Sequence, residues 1–223
     1  MKGSVMKKGK FITFEGIDGC GKSSQSRRLH AVFNPDKISN SHILTREPGG
    51  SPGAEEIRRL LVEGEPGRWS PETEILLFKA ARRDHLERTV WPRLEQGRHV
   101  ISDRFADSTR VYQGVARGDL RELVDKLHDI IIGQEPDLTI IIDVDPKVVL
   151  QRTAQQLSSG GEKETEHRFE DFGLQFQHDL RAGFKSLAEE YVERCVLIDG
   201  HKSEDEVFAE VKRVVQERLQ IIE

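Results

Sequence analysis

The sequence predicts an α/β fold of three layers, with a five-stranded parallel sheet between two layers of helices and a mobile lid at one edge. Three observations carry that reading. Five short runs, Lys10–Phe14 (KFITF), Ser41–Leu44, Arg98–Ile101, Leu138–Val144 (LTIIIDV) and Cys195–Ile198, are rich in β-branched and apolar residues. Such runs suit strands buried on both faces. Helical patterns separate them, as the crossovers of a parallel sheet require. A glycine-rich turn joins the first strand to the first helix at residues 16–21.

In chain order, the first strand leads into a helix over Lys22–Val32, and the second strand ends at TREPGG. Ile57, Leu60 and Leu61 mark a helix over Gly53–Glu63. Ser70-Pro71 opens a long helical pattern reaching Gln96, a cap residue followed by proline at the first helical position. Pro92 is expected to bend it. Further helices are expected over Arg121–Ile132, Lys147–Leu157, Glu170–Val192 and Glu204–Ile222. No internal repeat or domain-length linker interrupts the chain, so residues 1–223 are read as one domain. The loosest segment is Ser158–Glu166 (SSGGEKETE), expected as a flap within a lid of about residues 155–170.

Composition narrows the function. The chain has 223 residues, a third of them charged, and a net charge of −5. An acidic chain without a Lys/Arg-rich run argues against a nucleic-acid polymer as main partner, while allowing a local basic pocket for a small anion. No apolar run approaches a membrane span. The opening MKGSVMKKGK does not read as a signal peptide. Cys20 and Cys195 have no metal-type spacing and suit a reducing compartment, so the cytoplasm is expected.

The chemistry is concentrated in FEGIDGCGKSS, residues 14–24. Gly16, four residues and then Gly21-Lys22-Ser23 form a P-loop in its confirming context, between a strand and a helix. The stretch Gly16, Ile17, Asp18, Gly19, Cys20, Gly21, Lys22, Ser23 and Ser24 is expected to wrap the phosphates of ATP. Lys22 neutralises β and γ oxygens in such a loop, and the Ser23 hydroxyl binds Mg²⁺. Cys20 is read as a small residue where space is short rather than as a redox switch. The guanine signature Asn-Lys-x-Asp is missing, which argues against a GTPase. A DFG triplet at Asp171–Gly173 lacks the other parts of a protein kinase and is taken as coincidence on a helix.

Three clusters follow strands or ride on the long helix: Arg46 in TREPGG, Asp103-Arg104 in ISDRF, and Phe78 with Arg82, four apart on one helical face. Ligands of parallel sheets bind outside the carboxyl ends of the strands. Two arginines there imply a second anion besides ATP, and a ring beside an arginine can sandwich a base and hydrogen-bond it. Singly, each arginine could equally be a surface ion pair, and Phe78 could be core packing.

The runs FEGIDGCGKSSQS, TREPGG, LLFKAARRDH, SDRFADSTRVYQG and PDLTIIIDVDPKVVLQR resemble the bacterial thymidylate kinases in order and spacing, over nearly the whole chain. The resemblance implies phosphoryl transfer from ATP to dTMP, with Mg²⁺, on a P-loop NTPase fold. It implies that Asp18 accepts the 3′-hydroxyl of dTMP and that Arg46 and Arg104 grip its phosphate. Phe78 is then expected to stack on thymine, Arg82 to donate to its carbonyl, and Ser108, Thr109 and Gln113 to line the base and sugar. Tyr112 is placed to crowd C2′, and Asp103 to act near the metal through water.

One departure stands out. Relatives supply an extra cation to the transferring group from the P-loop or from several lid arginines. Here the P-loop position is Gly19, and QQLSSGGEKETEHRFE offers Lys163, His167 and Arg168, with Arg152 at its base on the ATP side. Arg168 is therefore expected to carry the catalytic charge. The family also implies a homodimer, for which the apolar faces of Ile75–Leu86 and Arg121–Ile132 are candidates. The alternatives are a kinase of another nucleoside or monophosphate and, from a different class, a P-loop regulatory or partition ATPase.

Overall fold

The structure, a computed structural model, describes residues 8–33, 41–65, 67–158 and 173–221. The strands are β1 (Phe11–Glu15), β2 (His42–Arg46), β3 (His99–Asp103), β4 (Leu138–Asp143) and β5 (Cys195–Asp199). They form one sheet in the order β2-β3-β1-β4-β5, parallel throughout. The central β1 buries every residue, as a strand covered on both faces must. Its side chains alternate between the two layers. Ile12 and Phe14 enter the cluster that includes Leu180, Phe184 and Val211, whereas Phe11 enters the one with Leu86, Val90 and Phe105.

Register then aligns the chemistry. Phe14 and Arg46 both pair with Asp103, so the carboxyl ends of β1, β2 and β3 meet at one edge. The helices α1 (Lys22–Phe33), α2 (Pro52–Val62), α3 (Pro71–His85), α4 (Trp91–Glu95), α5 (Ala106–Tyr112), α6 (Arg121–Leu127), α7 (Pro146–Ser158), α8 (Gly173–Glu190) and α9 (Glu204–Leu219) connect the strands.

The expected long helix is present but not uniform. Ser70 caps α3, its side chain accepting from the Thr73 N–H. Between α3 and α4, Leu86–Val90 forms a π-helical turn in which the Trp91 N–H reaches Leu86 O. That wider turn lies directly before Pro92, whose ring would clash with a carbonyl of a regular helix. A second π turn, His128–Ile132, follows α6 and ends at Gly133 in the left-handed region.

One helix departs from the sequence expectation. Helix α5 is absent from the sequence reading because it has no amphipathic stripe: Asp107, Thr109 and Arg110 are buried along with Ala106, Val111 and Tyr112. Its polar side chains are satisfied by ion pairs such as Asp107–Arg194 and Arg110–Glu135. Of the DFG triplet, Gly173 opens α8 at φ +86°, and Asp171 and Phe172 fall outside the described residues. The segment with Lys163, His167 and Arg168 also falls outside them. Among the described residues no helix is long and apolar enough to cross a membrane.

Candidate active site

The P-loop bends where its glycines allow. Gly16 has φ +135°, and a Cβ there would meet Ile142 O at 2.7 Å and Cys20 Sγ at 2.8 Å. This close approach explains a small residue at 20. Burial pushes the Cys20 thiol above its ordinary value and so disfavours the reactive thiolate. Gly21 has φ +100° with nothing within 4 Å of a built Cβ; the backbone alone demands glycine, and the space beside it is open. Lys22, buried at the start of α1, donates to Ile17 O at 3.0 Å and stands 3.5 Å from Asp18 Oδ1.

Ser23 donates a short hydrogen bond to Asp103 Oδ2. The other oxygen of that carboxylate, Oδ1, is buried with no hydrogen-bond partner among the described residues. A hydroxyl and an orphaned carboxylate oxygen fit a hard divalent cation, which takes oxygen ligands. No group of three or more His, Cys, Asp or Glu side chains among the described residues could hold a metal by itself. Phosphate oxygens of a nucleotide must therefore complete such a site.

Beside the P-loop lies a cleft of about 610 Å³, measured to its open mouth. Its walls include Asp18, Glu47, Phe78, Arg82, Arg104, Phe105, Ser108, Thr109, Tyr112 and Gln113. Arg104 follows β3 with φ +68°, a strained conformation for a residue with a side chain. Its N–H donates to Phe14 O and its carbonyl accepts from Ser102 Oγ, which hold it there. The guanidinium bonds Asp18 Oδ1, Ser108 Oγ (2.9 Å) and Tyr112 Oη (3.3 Å), and Tyr112 in turn donates to Asp18 Oδ2 at 2.9 Å. Burial alone would raise the Asp18 carboxyl; Arg104 and Lys22 outweigh it and hold the group at about 2. Asp18 thus stays ionised, with lone pairs left to accept a hydroxyl.

At the other end, Arg82 is 2 % exposed. Its Nε donates to Glu47 at 2.7 Å and its Nη2 to Phe105 O at 3.0 Å and Thr109 Oγ1 at 3.1 Å. Nη1 is buried without a hydrogen-bond partner among the described residues. Glu47 also takes Nδ1–H of His85 at 2.8 Å, which leaves Nε2 to accept from Thr45. Burial works against the ionised Glu47, and Arg82 overcomes it, holding the carboxyl below its ordinary value.

The thymidylate kinase family model matches residues 14–211, which span the P-loop and the whole cleft. The chain belongs to the thymidylate kinase family. It is 61% identical over 203 residues to the thymidylate kinase of Dinoroseobacter shibae, covering 91% of this chain and 94% of that protein. It is 57% identical over 211 residues to that of Ruegeria pomeroyi, covering 95% and 96%. The crystal structure of the Ehrlichia chaffeensis thymidylate kinase superposes with a TM-score of 0.73 at 35% identity, covering 94% of this chain and 99% of that one.

Of the residues expected to bind dTMP in this family member, the cleft gathers Asp18, Phe78, Arg82, Arg104, Ser108, Thr109, Tyr112 and Gln113. Arg46 does not line it; it stands at the end of β2, its side chain 55% exposed, 3.3 Å from Glu55. Arg152, expected beside ATP, donates twice to Gly200 O in the loop after β5. Several residues of the site escaped the sequence reading. Glu47 lies inside the quoted TREPGG, and His85 is one helical turn past Arg82. Arg58 on α2 donates to Pro48 O, and its guanidinium is depressed by burial and then by Arg46 and Arg104. Three arginines therefore converge near the β2–β3 ends. Glu15 closes β1 and accepts from the Phe105 N–H (2.7 Å) and Ser108 Oγ (2.6 Å). Burial, reinforced by Asp107, raises it to about 7. A charge ending an apolar strand was its one visible signal.

Proposed function

We infer that the chain transfers the γ-phosphoryl group of ATP to dTMP, giving dTDP and ADP. It is an ATP-dependent nucleoside monophosphate kinase. The observation that carries the thymine assignment is Arg82 Nη1, buried without a hydrogen-bond partner among the described residues, in the wall of a cleft that also contains Phe78. A buried donor without a partner is costly, and a base carbonyl satisfies it. Phe78 stacks on the ring. Asp18 accepts the 3′-hydroxyl, and Tyr112, tied to Asp18, fills the space at C2′.

The acceptor is already an oxyanion, so the reaction needs no strong base. A phosphate oxygen of dTMP attacks Pγ as the bond from Pγ to the β-bridging oxygen breaks and ADP leaves. The difficulty is the approach of two anions. Arg104 grips the acceptor phosphate, with Arg46 closing on it from the β2 end. Lys22 exchanges Ile17 O for β and γ oxygens of ATP. Mg²⁺ would be held by Ser23, by Asp103 and by the phosphates, and when bound it neutralises charge on the β and γ oxygens. Arg152 lies on the ATP side, and Arg168 supplies the last cation to the transferring group. Arg168→Ala is expected to lower turnover by about 10²–10³; near-normal turnover in single-turnover kinetics would move that role to Lys163 or Arg152.

Leu76 on α3 and Ile130 in the π turn after α6 are 56% and 80% exposed on elements that pack together, a surface suited to a homodimer. Substrates that are two free nucleotides support a cytoplasmic location. The function is tested by ADP release with ATP, Mg²⁺ and a panel of monophosphates. Turnover with dTMP, weaker with dUMP and near background with AMP, CMP and GMP, is expected. Hydrolysis independent of acceptor, or another preferred monophosphate, would overturn the thymine reading.

A further inference from the structure

The cleft wall opposite a base must present acceptors as well as donors, and Gln113 is its ambivalent member. Its side-chain amide can turn either end inward. Gln113 is 1% exposed and lines the cleft directly after α5. Its Nε2 donates to Glu74 Oε2 at 3.1 Å. Glu74 lies on α3, one turn before Phe78, and is 0% exposed. Arg117 Nη1 stands 2.5 Å from Glu74 Oε1, a guanidinium–carboxylate pair. The Glu74 oxygen that meets Gln113 is an acceptor, so it faces the NH₂ end of the amide. The carbonyl Oε1 of Gln113 is thereby left for the ligand.

We propose that Glu74 is a specificity-determining positioning residue, which locks the Gln113 amide with its carbonyl toward the base and so selects an N–H beside a carbonyl. This rests on the thymine reading of the cleft. Thymine offers an N3–H donor and an O4 acceptor, which match Gln113 Oε1 and Arg82 Nη1. Cytosine offers the reverse, an N3 acceptor and an N4–H₂ donor, and would leave both protein groups mispaired. Sites built on such pairings reject mismatched analogues far more strongly than apolar walls do. Glu74 touches no ligand itself; it acts by removing the flipped state of Gln113.

The test is Glu74→Gln, assayed as kcat/KM for dTMP and for dCMP with saturating ATP. A glutamine at 74 can donate as well as accept, so Gln113 regains its second orientation. The dTMP/dCMP preference is expected to fall by about 10–100-fold, mainly through a higher KM for dTMP, with the KM for ATP within about twofold. In a Gln113→Met background the same substitution should no longer change the ratio. A ratio within about twofold of the parent, an equal loss on both substrates, or an undiminished effect in the Gln113→Met background would overturn the proposal. If E74Q does not fold, E74D, which keeps the charge but withdraws the oxygen, is read in the same way. The unsubstituted enzyme separates this failure from the larger one: if it does not prefer dTMP to dCMP, the thymine reading itself has failed.

Discussion

Arg46 and Arg104 sit at the ends of neighbouring strands, Arg46 opposite Asp103 in the sheet and Arg104 one residue beyond it. Both are expected to hold the same phosphate, yet their surroundings differ. Arg104 has a side chain 12% exposed, a strained backbone fixed from both sides, and three side-chain partners. Arg46 reaches out to one carboxylate at 3.3 Å. The β3 end is a preorganised cation, whereas the β2 end is a cation the ligand must draw in. Preorganisation matters because charges fixed before reaction cost no rearrangement during it.

The most direct way to break this contrast is Arg104→Gln, which should reduce kcat/KM for dTMP by about 10²–10³, the effect of losing one preorganised donor. Next in size is substrate discrimination. dUMP lacks only the thymine methyl, and a missing methyl in a closed pocket is worth roughly 10–200-fold. Equal kcat/KM values for dUMP and dTMP would mean that the Phe78 side of the cleft is open. Arg46→Gln should cost only about five- to tenfold, since an exposed charge contributes on the order of 1 kcal/mol. That loss should shrink in high salt, while the loss in Arg104→Gln should not. A reversed order of the two arginines would break the contrast outright.

The smallest effect is on stability. Folded Glu15 titrates near 7 against an ordinary value of 4.5, so the folded state holds an extra proton between those values. Its contribution is complete below pH 4.5 and is lost as pH rises through 7. Glu15→Gln should therefore match or exceed the parent in Tm at pH 8, with the gap closing toward pH 5. For a chain of this length about 1 kcal/mol corresponds to roughly 2–4 °C. A Tm for Glu15→Gln below the parent at pH 8 would mean that the carboxylate's bonds to Phe105 and Ser108 outweigh its burial.

The sheet was legible because buried parallel strands carry continuous apolar runs, and the P-loop because its glycines obey a backbone requirement. Resemblance placed Asp18, Phe78, Arg82 and Tyr112, and the cleft collects all of them. Helix α5 was not legible, since buried ion pairs at Asp107 and Arg110 remove the 3.6-residue apolar period on which such a reading depends. Nor were the carboxylates that orient the site. Glu15, Glu47 and Glu74 look like surface residues in sequence, and only the fold shows that each is buried against the group it fixes.

The preorganised β3 end implies an acceptor cleft built before ATP arrives. Calorimetric titration of dTMP into the protein without ATP or Mg²⁺ tests it most directly. Saturable binding at one site per chain, weaker for dUMP, undetectable for AMP and strongly reduced in Arg104→Gln, is the predicted result. Binding of dTMP that appears only after a nucleotide triphosphate is added would contradict it.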